Sequence, residues 1–174
     1  EADRALTYFF QNCRSPKTGL LAWGEHMGWD FYTDTYIQGA GHDTTHEFLG
    51  PWLLWDRSFN LAPEACADFA TGLWLHQVNQ SPTGNFSRHA NWLKPRRKRK
   101  LKKTEPGDFS RLVKTGPGFD FPRHGGFYMR TWAEAYERTQ NPHYLTAIEI
   151  MHRHMEATRG QEPDGEHAIA FVSG

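Results

Sequence analysis

The stretch Met129–Met155, MRTWAEAYERTQNPHYLTAIEIMHRHM, decides the fold class, because it carries two apolar stripes at helical spacing on either side of a short turn. The stripes are Met129, Trp132, Ala133 and Tyr136, and then Tyr144, Ala147, Ile148, Met151 and Met155. Between them, Asn141 is suited to cap the second helix and Pro142 to be its first residue. The stretch therefore predicts an antiparallel helical hairpin.

Helical spacing continues upstream of this hairpin. It predicts helices over about residues 2–13, 44–55 and 63–78, with Gly50-Pro51 expected to kink or split the second. Residues 14–40 are rich in glycine and aromatic residues and predict a long, ordered loop that forms a site. No segment alternates convincingly as a strand does. We therefore expect an all-α protein of stacked α/α hairpins, forming part of an (α/α) toroid or barrel.

The length of 174 residues fits one domain, 1–174, with a basic loop insertion at about 93–120. Within that insertion, seven of the eight positions Arg96–Lys103 are basic, which predicts a solvent-exposed excursion. Attraction of a polyanion or of nucleic acid is the functional alternative for this run. Because a closed toroid needs more hairpins than this chain supplies, we expect a sector of a larger enzyme.

Charge and cysteine content narrow the possible partners. Lys+Arg 20 balance Asp+Glu 20, so the net charge suggests neither a nucleic acid nor a membrane as partner. No run has the length of a membrane span, so we expect a soluble protein. No signal peptide is recognisable, but the chain opens in the middle of a pattern, so its N-terminus leaves the cytoplasm, the periplasm and the exterior all open. Cys13 and Cys66 form no disulfide framework, and the apolar stripe around Cys66 predicts a buried free thiol.

Three polar clusters in the first half of the chain indicate chemistry. They are Trp23-Gly24-Glu25-His26, His42-Asp43-Thr44-Thr45-His46-Glu47 and Phe86-Ser87-Arg88-His89. Imidazole and carboxylate together suit a borderline divalent metal, and an arginine beside a ligand suits an anionic substrate. The clusters therefore suggest a metal site that grips a charged sugar, and some of the seven Trp would stack on sugar rings. His42 and His46 have the i,i+4 spacing that puts two imidazoles on one face of a helix, and they are a weaker metal pair.

One set of these residues resembles the metal centre of the pectate lyases of polysaccharide lyase family 2. It consists of His26, Glu47 and His89, separated by 21 and 42 residues, with Arg88 beside the last. The order of elements between Leu53 and His89 is also similar, and the likeness covers roughly residues 20–158. The basic run at 95–103 is a departure from the family pattern.

The resemblance implies β-elimination on a polyuronate such as pectate, giving unsaturated oligosaccharides. His26, Glu47 and His89 would hold a divalent metal, manganese first, with another transition metal or calcium as alternatives. Arg88 would be the Brønsted base, or else would pair with the substrate carboxylate. The substrate would be an acidic polysaccharide or oligosaccharide, and Trp23, Arg123 and His124 are further candidates for binding it.

Two other functions stay open. Toroids of this kind also carry glycoside hydrolases, which use paired carboxylates, and Asp30, Asp34, Asp43 and Glu47 lie in suitable segments. Hydrolysis, however, gives no role to His26, His89 and Arg88. The remaining alternative is a non-catalytic helical scaffold whose aromatic face binds carbohydrate.

Overall fold

The structure, a computed structural model, describes residues 1–24, 26–38, 44–46, 52–77, 89–93, 122–158, 160–161 and 167–168. Its helices are α1 (Ala2–Asn12), α2 (Trp55–Leu61), α3 (Pro63–Gly72), α4 (Pro122–Thr139) and α5 (Pro142–Thr158), with a π-helical turn at Leu73–Gln77 directly after α3. Its strands are β1 (Met27–Asp30), β2 (Thr35–Gln38), β3 (Thr44–His46), β4 (His89–Asn91), β5 (Gly160–Gln161) and β6 (His167–Ala168). The strands form three antiparallel pairs, β1–β2, β3–β4 and β5–β6.

The predicted helical hairpin is confirmed. α4 and α5 pack against each other, and the backbone N–H of His143 donates to Oδ1 of Asn141 at 3.1 Å. That bond satisfies one of the donors left open at the start of α5, as an N-cap does. The helices predicted at residues 2–13 and from Pro63 are also confirmed, the second ending in the π-helical turn.

The prediction of an all-α toroid is wrong, because antiparallel strand pairs accompany the helices. β1 and β2 lie inside the segment expected to be a loop, and Thr44–His46 is a strand where a helix was expected. Two adjacent β-branched residues, Thr44 and Thr45, favour extended backbone. Residues 52–54 are not helical either, and α2, which the sequence pattern did not predict beyond its first residue, begins at Trp55. The insertion at about 93–120 lies, apart from residue 93, outside the described residues.

The core is formed by large aromatic side chains from successive helices. Phe10 of α1, Trp55 of α2, Phe69 of α3 and Trp132 of α4 are all fully buried in one cluster. Polar atoms fix how the helices dock, since Nε1 of Trp132 donates to the carbonyl oxygen of Ala70 at 3.0 Å. Because a buried indole N–H needs a partner, this bond helps to fix the position of α4 on α3.

A tight loop packs against the end of α3. The backbone N–H of Ser15 donates to the carbonyl oxygen of Leu20 at 2.8 Å, which closes the loop. A Cβ added at Gly72 would lie 2.2 Å from the carbonyl oxygen of Thr18, and one at Gly19 would lie 2.4 Å from that of Asp68. Only glycine permits so close an approach of two backbones. The loop is therefore held rigidly on the helix.

Candidate functional site

Strand pairing brings two of the sequence clusters together. β3 and β4 are antiparallel, with Thr44 opposite Asn91, Thr45 opposite Ala90 and His46 opposite His89. His46 ends β3 and His89 begins β4, so both lie at the same end of the ladder. In the sequence, Glu47 follows His46 and Arg88 precedes His89. The segments that lead to the predicted carboxylate ligand and to the predicted base thus leave the ladder at one end.

The third cluster adjoins the same strands. β1 contacts β3, and His26 immediately precedes Met27, the first residue of β1. His26 is half-buried. The described backbone therefore supplies a framework of three strands, β1, β3 and β4, and each of them begins or ends beside one predicted metal ligand.

The other predicted site residues are placed as follows. Glu47 and Arg88 lie outside the described residues, and for His89 the backbone alone is described. Arg123 and His124 belong to the first turn of α4, again with only the backbone described. Among the residues whose side chains are described, no group of three His, Cys, Asp or Glu is placed to hold a metal ion. The triple His26, Glu47 and His89 therefore stays a prediction.

Trp23 belongs to the core. It is 6% exposed, and its ring lies 5.2 Å from that of Phe69 and 5.6 Å from that of Phe9, measured between centroids. This packing occupies most of the indole surface. The role of Trp23 in substrate binding stays a prediction, and its described contacts give it a structural role.

Sequence reasoning missed Trp92, which anchors β4. Its ring centroid lies 4.9 Å from that of Tyr36 on β2, and its carbonyl oxygen accepts a hydrogen bond of 2.8 Å from the hydroxyl of Thr18. These contacts tie β4 both to the β1–β2 hairpin and to the tight loop. Nε1 of Trp92 is buried and has no hydrogen-bond partner among the residues that the structure describes. The residue types of Tyr36 and Trp92 could have indicated strands at these two positions, since aromatic residues are typical of strands and their borders.

Two carboxylates considered for hydrolysis hold the hairpin turn. Asp30 accepts hydrogen bonds of 2.8 Å from the backbone N–H of Tyr32 and from the hydroxyl of Thr33, and these bonds lower the pKa of its carboxyl group. Asp34 accepts a bond of 3.2 Å from Nε1 of Trp29. A catalytic acid in a glycosidase needs a raised pKa. Asp30 thus fits a turn-forming role better than catalysis of hydrolysis, and Asp43 and Glu47 lie outside the described residues.

One structural finding and two comparisons with known proteins complete the description of the chain. In the described part of the chain, none of the helices combines the length and the apolar character needed to cross a lipid bilayer. No curated protein matches the sequence. A comparison with protein-family models matches residues 1–121 to the family described as periplasmic pectate lyase. The match includes all three polar clusters and the strands β1, β3 and β4, and it ends just before α4. On that match, the chain belongs to the periplasmic pectate lyase family.

Proposed function

We propose that the protein cleaves pectate or polygalacturonate by metal-assisted β-elimination and releases unsaturated oligosaccharides. Family membership supports a polysaccharide lyase acting on an acidic polysaccharide. The identity of the metal, the exact substrate and the roles of single residues go beyond family membership and are proposed here. We also propose that the enzyme works in the periplasm, the location in the family description.

The strand register is the observation that carries the residue assignment. His46, the residue before Glu47, is the partner of His89 in the ladder. Opposite Cα atoms in an antiparallel pair lie about 4.5–5.5 Å apart, and neighbouring Cα atoms in the chain about 3.8 Å. This register supports the proposal that Glu47 and His89 act on one metal ion, although 42 positions separate them in the sequence. Contact between β1 and β3 brings the segment after His26 to the same framework.

The donor set fits a divalent transition metal. The two imidazoles are nitrogen donors of the kind that transition metals bind, the carboxylate is an oxygen donor of the kind that manganese prefers, and three protein ligands leave positions open for substrate oxygens. When bound, the ion would neutralise the substrate carboxylate and so make the neighbouring C5 proton more acidic. Manganese is the first candidate, and another transition metal or calcium is the alternative.

Arg88 is the proposed base. It removes the C5 proton, the C4–O bond to the leaving sugar breaks, a double bond forms between C4 and C5, and the leaving oxygen takes up a proton. Arginine is normally protonated, so this role requires desolvation and nearby positive charge to lower its pKa. In the alternative assignment, Arg88 binds the substrate carboxylate through two parallel hydrogen bonds and another group takes the proton.

The proposal is tested by following the ultraviolet absorbance of the conjugated double bond during turnover of polygalacturonate. We expect activity that rises with added manganese, disappears with a chelator and has an alkaline optimum, because a base of high pKa acts only when deprotonated. Arg88→Ala is expected to abolish turnover and to spare metal affinity, whereas His89→Ala weakens both.

The same assay separates the alternatives. Release of saturated reducing sugars alone would identify a hydrolase and refute elimination. Turnover by Arg88→Ala at the wild-type rate would refute the base assignment. Metal binding unaffected by both His26→Ala and His89→Ala would refute the ligand set.

A further inference from the structure

A cleft of ≈ 210 Å³ opens between the tight loop and the C-terminal end of α3 with its π-helical turn. Its polar lining includes Arg14, Lys17, Asp68, Thr71 and His76. This volume is below the range of about 300–1,000 Å³ that is typical of sites for whole small-molecule ligands, so the cleft suits a single unit of a longer ligand. We call it the Lys17 cleft.

The floor of the Lys17 cleft is preformed. The close backbone contacts at Gly19 and Gly72, described above, leave no space for a side chain between loop and helix. The hydroxyl of Ser15 accepts from the backbone N–H groups of Lys17 and Thr18, each at 3.2 Å. A ligand would therefore not have to order this loop, which lowers the entropic cost of binding.

The charges of the cleft suit one carboxylate. Asp68 offsets Arg14 through a salt bridge of 2.7 Å from Nη1 to Oδ2, and the exposed Lys17 leaves one positive charge in excess. Burial lowers the pKa of His76, so its imidazole is neutral at neutral and alkaline pH. The Thr71 hydroxyl already shares a hydrogen bond of 2.9 Å with the Tyr144 hydroxyl, but its oxygen can accept a further bond from a sugar hydroxyl, as can the exposed Asp68 carboxylate beside its salt bridge to Arg14.

The position of the cleft connects it with the proposed catalytic strands. Thr18, which lines the cleft, donates its hydroxyl hydrogen to the carbonyl oxygen of Trp92, just after β4. The π-helical turn, which carries His76, contacts β4. β4 begins with His89, so the cleft borders the strand on which the proposed metal ligand lies.

A neighbouring cavity extends the Lys17 cleft. It has a volume of ≈ 260 Å³, shares Thr71 and Leu75 with the Lys17 cleft and includes Trp74 and His143. Aromatic and apolar surface beside polar groups suits sugar rings, which have apolar faces and polar edges. A groove of this kind accommodates consecutive units of a chain better than a lone small anion.

We infer that the Lys17 cleft is a subsite for one uronate unit of the polysaccharide, with Lys17 paired to its carboxylate. The inference rests on the proposed function for the identity of the polymer. Lys17 is here a specificity residue, because it binds a sugar unit beside the reacting one and takes no part in bond breaking.

The test measures the Kd of oligogalacturonates by calorimetry in the presence of a chelator, so that binding is read without turnover. Lys17→Gln is expected to raise the Kd about tenfold, the loss of about 1.4 kcal/mol, because a charge-assisted hydrogen bond disappears. Lys17→Arg is expected to bind as the wild type does. In initial-rate measurements with metal, Lys17→Gln is expected to raise KM by a similar factor and to leave kcat nearly unchanged.

Two controls make the test specific. Arg153→Gln removes an exposed positive charge from α5, and it is expected to leave the Kd unchanged. Neutral oligogalactose, which lacks the carboxylate, is expected to bind equally to the wild type and to Lys17→Gln. An unchanged Kd in Lys17→Gln, an equal loss in Arg153→Gln or an equal loss for the neutral sugar would each overturn the inference.

Failure of the proposed function has a different signature. A wild-type protein that forms no conjugated product would refute elimination, whereas the calorimetric comparison would still decide the role of Lys17. Conversely, normal elimination by the wild type with an unaltered Kd in Lys17→Gln would refute the subsite alone.

Discussion

At the scale of single residues, the burial of two cysteines makes the stability of the protein depend on pH. Cys13 and Cys66 are both free and fully buried, which confirms the prediction for Cys66 and extends it to Cys13. Burial raises the pKa of each thiol to about 12. A buried apolar setting disfavours the thiolate, so both side chains stay protonated and chemically inert in the folded protein.

This burial leads to a prediction about reactivity. In the native protein at pH 8, neither thiol is expected to react with a disulfide reagent, and both are expected to react after unfolding in urea. The unfolded thiols ionise near their ordinary pKa of 9.0, below the folded value of about 12. Their contribution to the free energy of unfolding is therefore complete below pH 9 and is lost as pH rises towards 12. Rapid reaction of the native protein would contradict the assigned burial.

At the scale of elements, the sequence predicted the long helices and missed the short strands. α4 and α5 are long enough for a stripe to repeat several times, and Asn141 and Pro142 give the turn a local chemical signature. β3 and β4 have three residues each, and an alternation of period two cannot be recognised over three positions. Their pairing depends on partners far apart in the sequence, which no local pattern encodes. The triple His26, Glu47 and His89 comes from the family resemblance, and for the same reason no local pattern predicts where its members lie relative to one another.

The contact between the tight loop and α3 leads to a prediction about stability. Gly72→Ala is expected to lower the free energy of unfolding by about 1–3 kcal/mol, because its Cβ would overlap the carbonyl oxygen of Thr18 and force the backbones apart. Gly126→Ala is the matched control, since a Cβ there meets nothing within 4 Å and the site lies on α4. That control is expected to stabilise the protein by up to about 1 kcal/mol through helix propensity. Urea denaturation measures both, and equal effects would contradict the packing argument.

At the scale of the whole molecule, the family match and the described fold divide the chain differently. The match covers residues 1–121, whereas the strongest structural signal in the sequence lies in the α4–α5 hairpin beyond it. The resemblance noted from the sequence is confirmed at the level of the family. The hairpin nevertheless packs on the matched part, since Tyr144 donates its hydroxyl hydrogen to the carbonyl oxygen of Ala67 at 3.1 Å. The α4–α5 hairpin and the segment that matches the family thus pack against each other.

The basic run Arg96–Lys103 lies outside the described residues and stays a prediction. Seven positive charges in eight positions repel one another, which opposes a compact arrangement. We therefore expect that deletion of residues 95–103 leaves a cooperative thermal transition with a Tm close to that of the intact protein. Circular dichroism during heating measures this, and loss of the cooperative transition would show that the run belongs to the folded core.

The small size of the β3–β4 ladder has a consequence for the thermal behaviour of the proposed site. In an otherwise unfolded chain, holding His46 against His89 closes a loop of 42 residues, and the entropic cost of closure is on the order of 3 kcal/mol. Hydrogen-bonded and non-hydrogen-bonded pairs alternate in an antiparallel ladder, so three residue pairs supply about two to four backbone hydrogen bonds, which return about as much at roughly 1 kcal/mol each. By itself, the ladder therefore has nearly equal free energies in its paired and open states. The contacts of Trp92 shift this equilibrium towards the paired state.

Local opening would then precede global unfolding. We expect elimination activity to fall on heating before the helical signal melts. Trp92→Ala is expected to widen the temperature interval between the loss of activity and the loss of the helical signal. Leu53→Ala, at a side chain that is 85% exposed, is expected to leave this interval unchanged. If activity and helical signal were lost at the same temperature in Trp92→Ala, the β3–β4 ladder and the core would melt as one unit. The catalytic lifetime of this protein would thus be limited by an indole that takes no part in the chemistry.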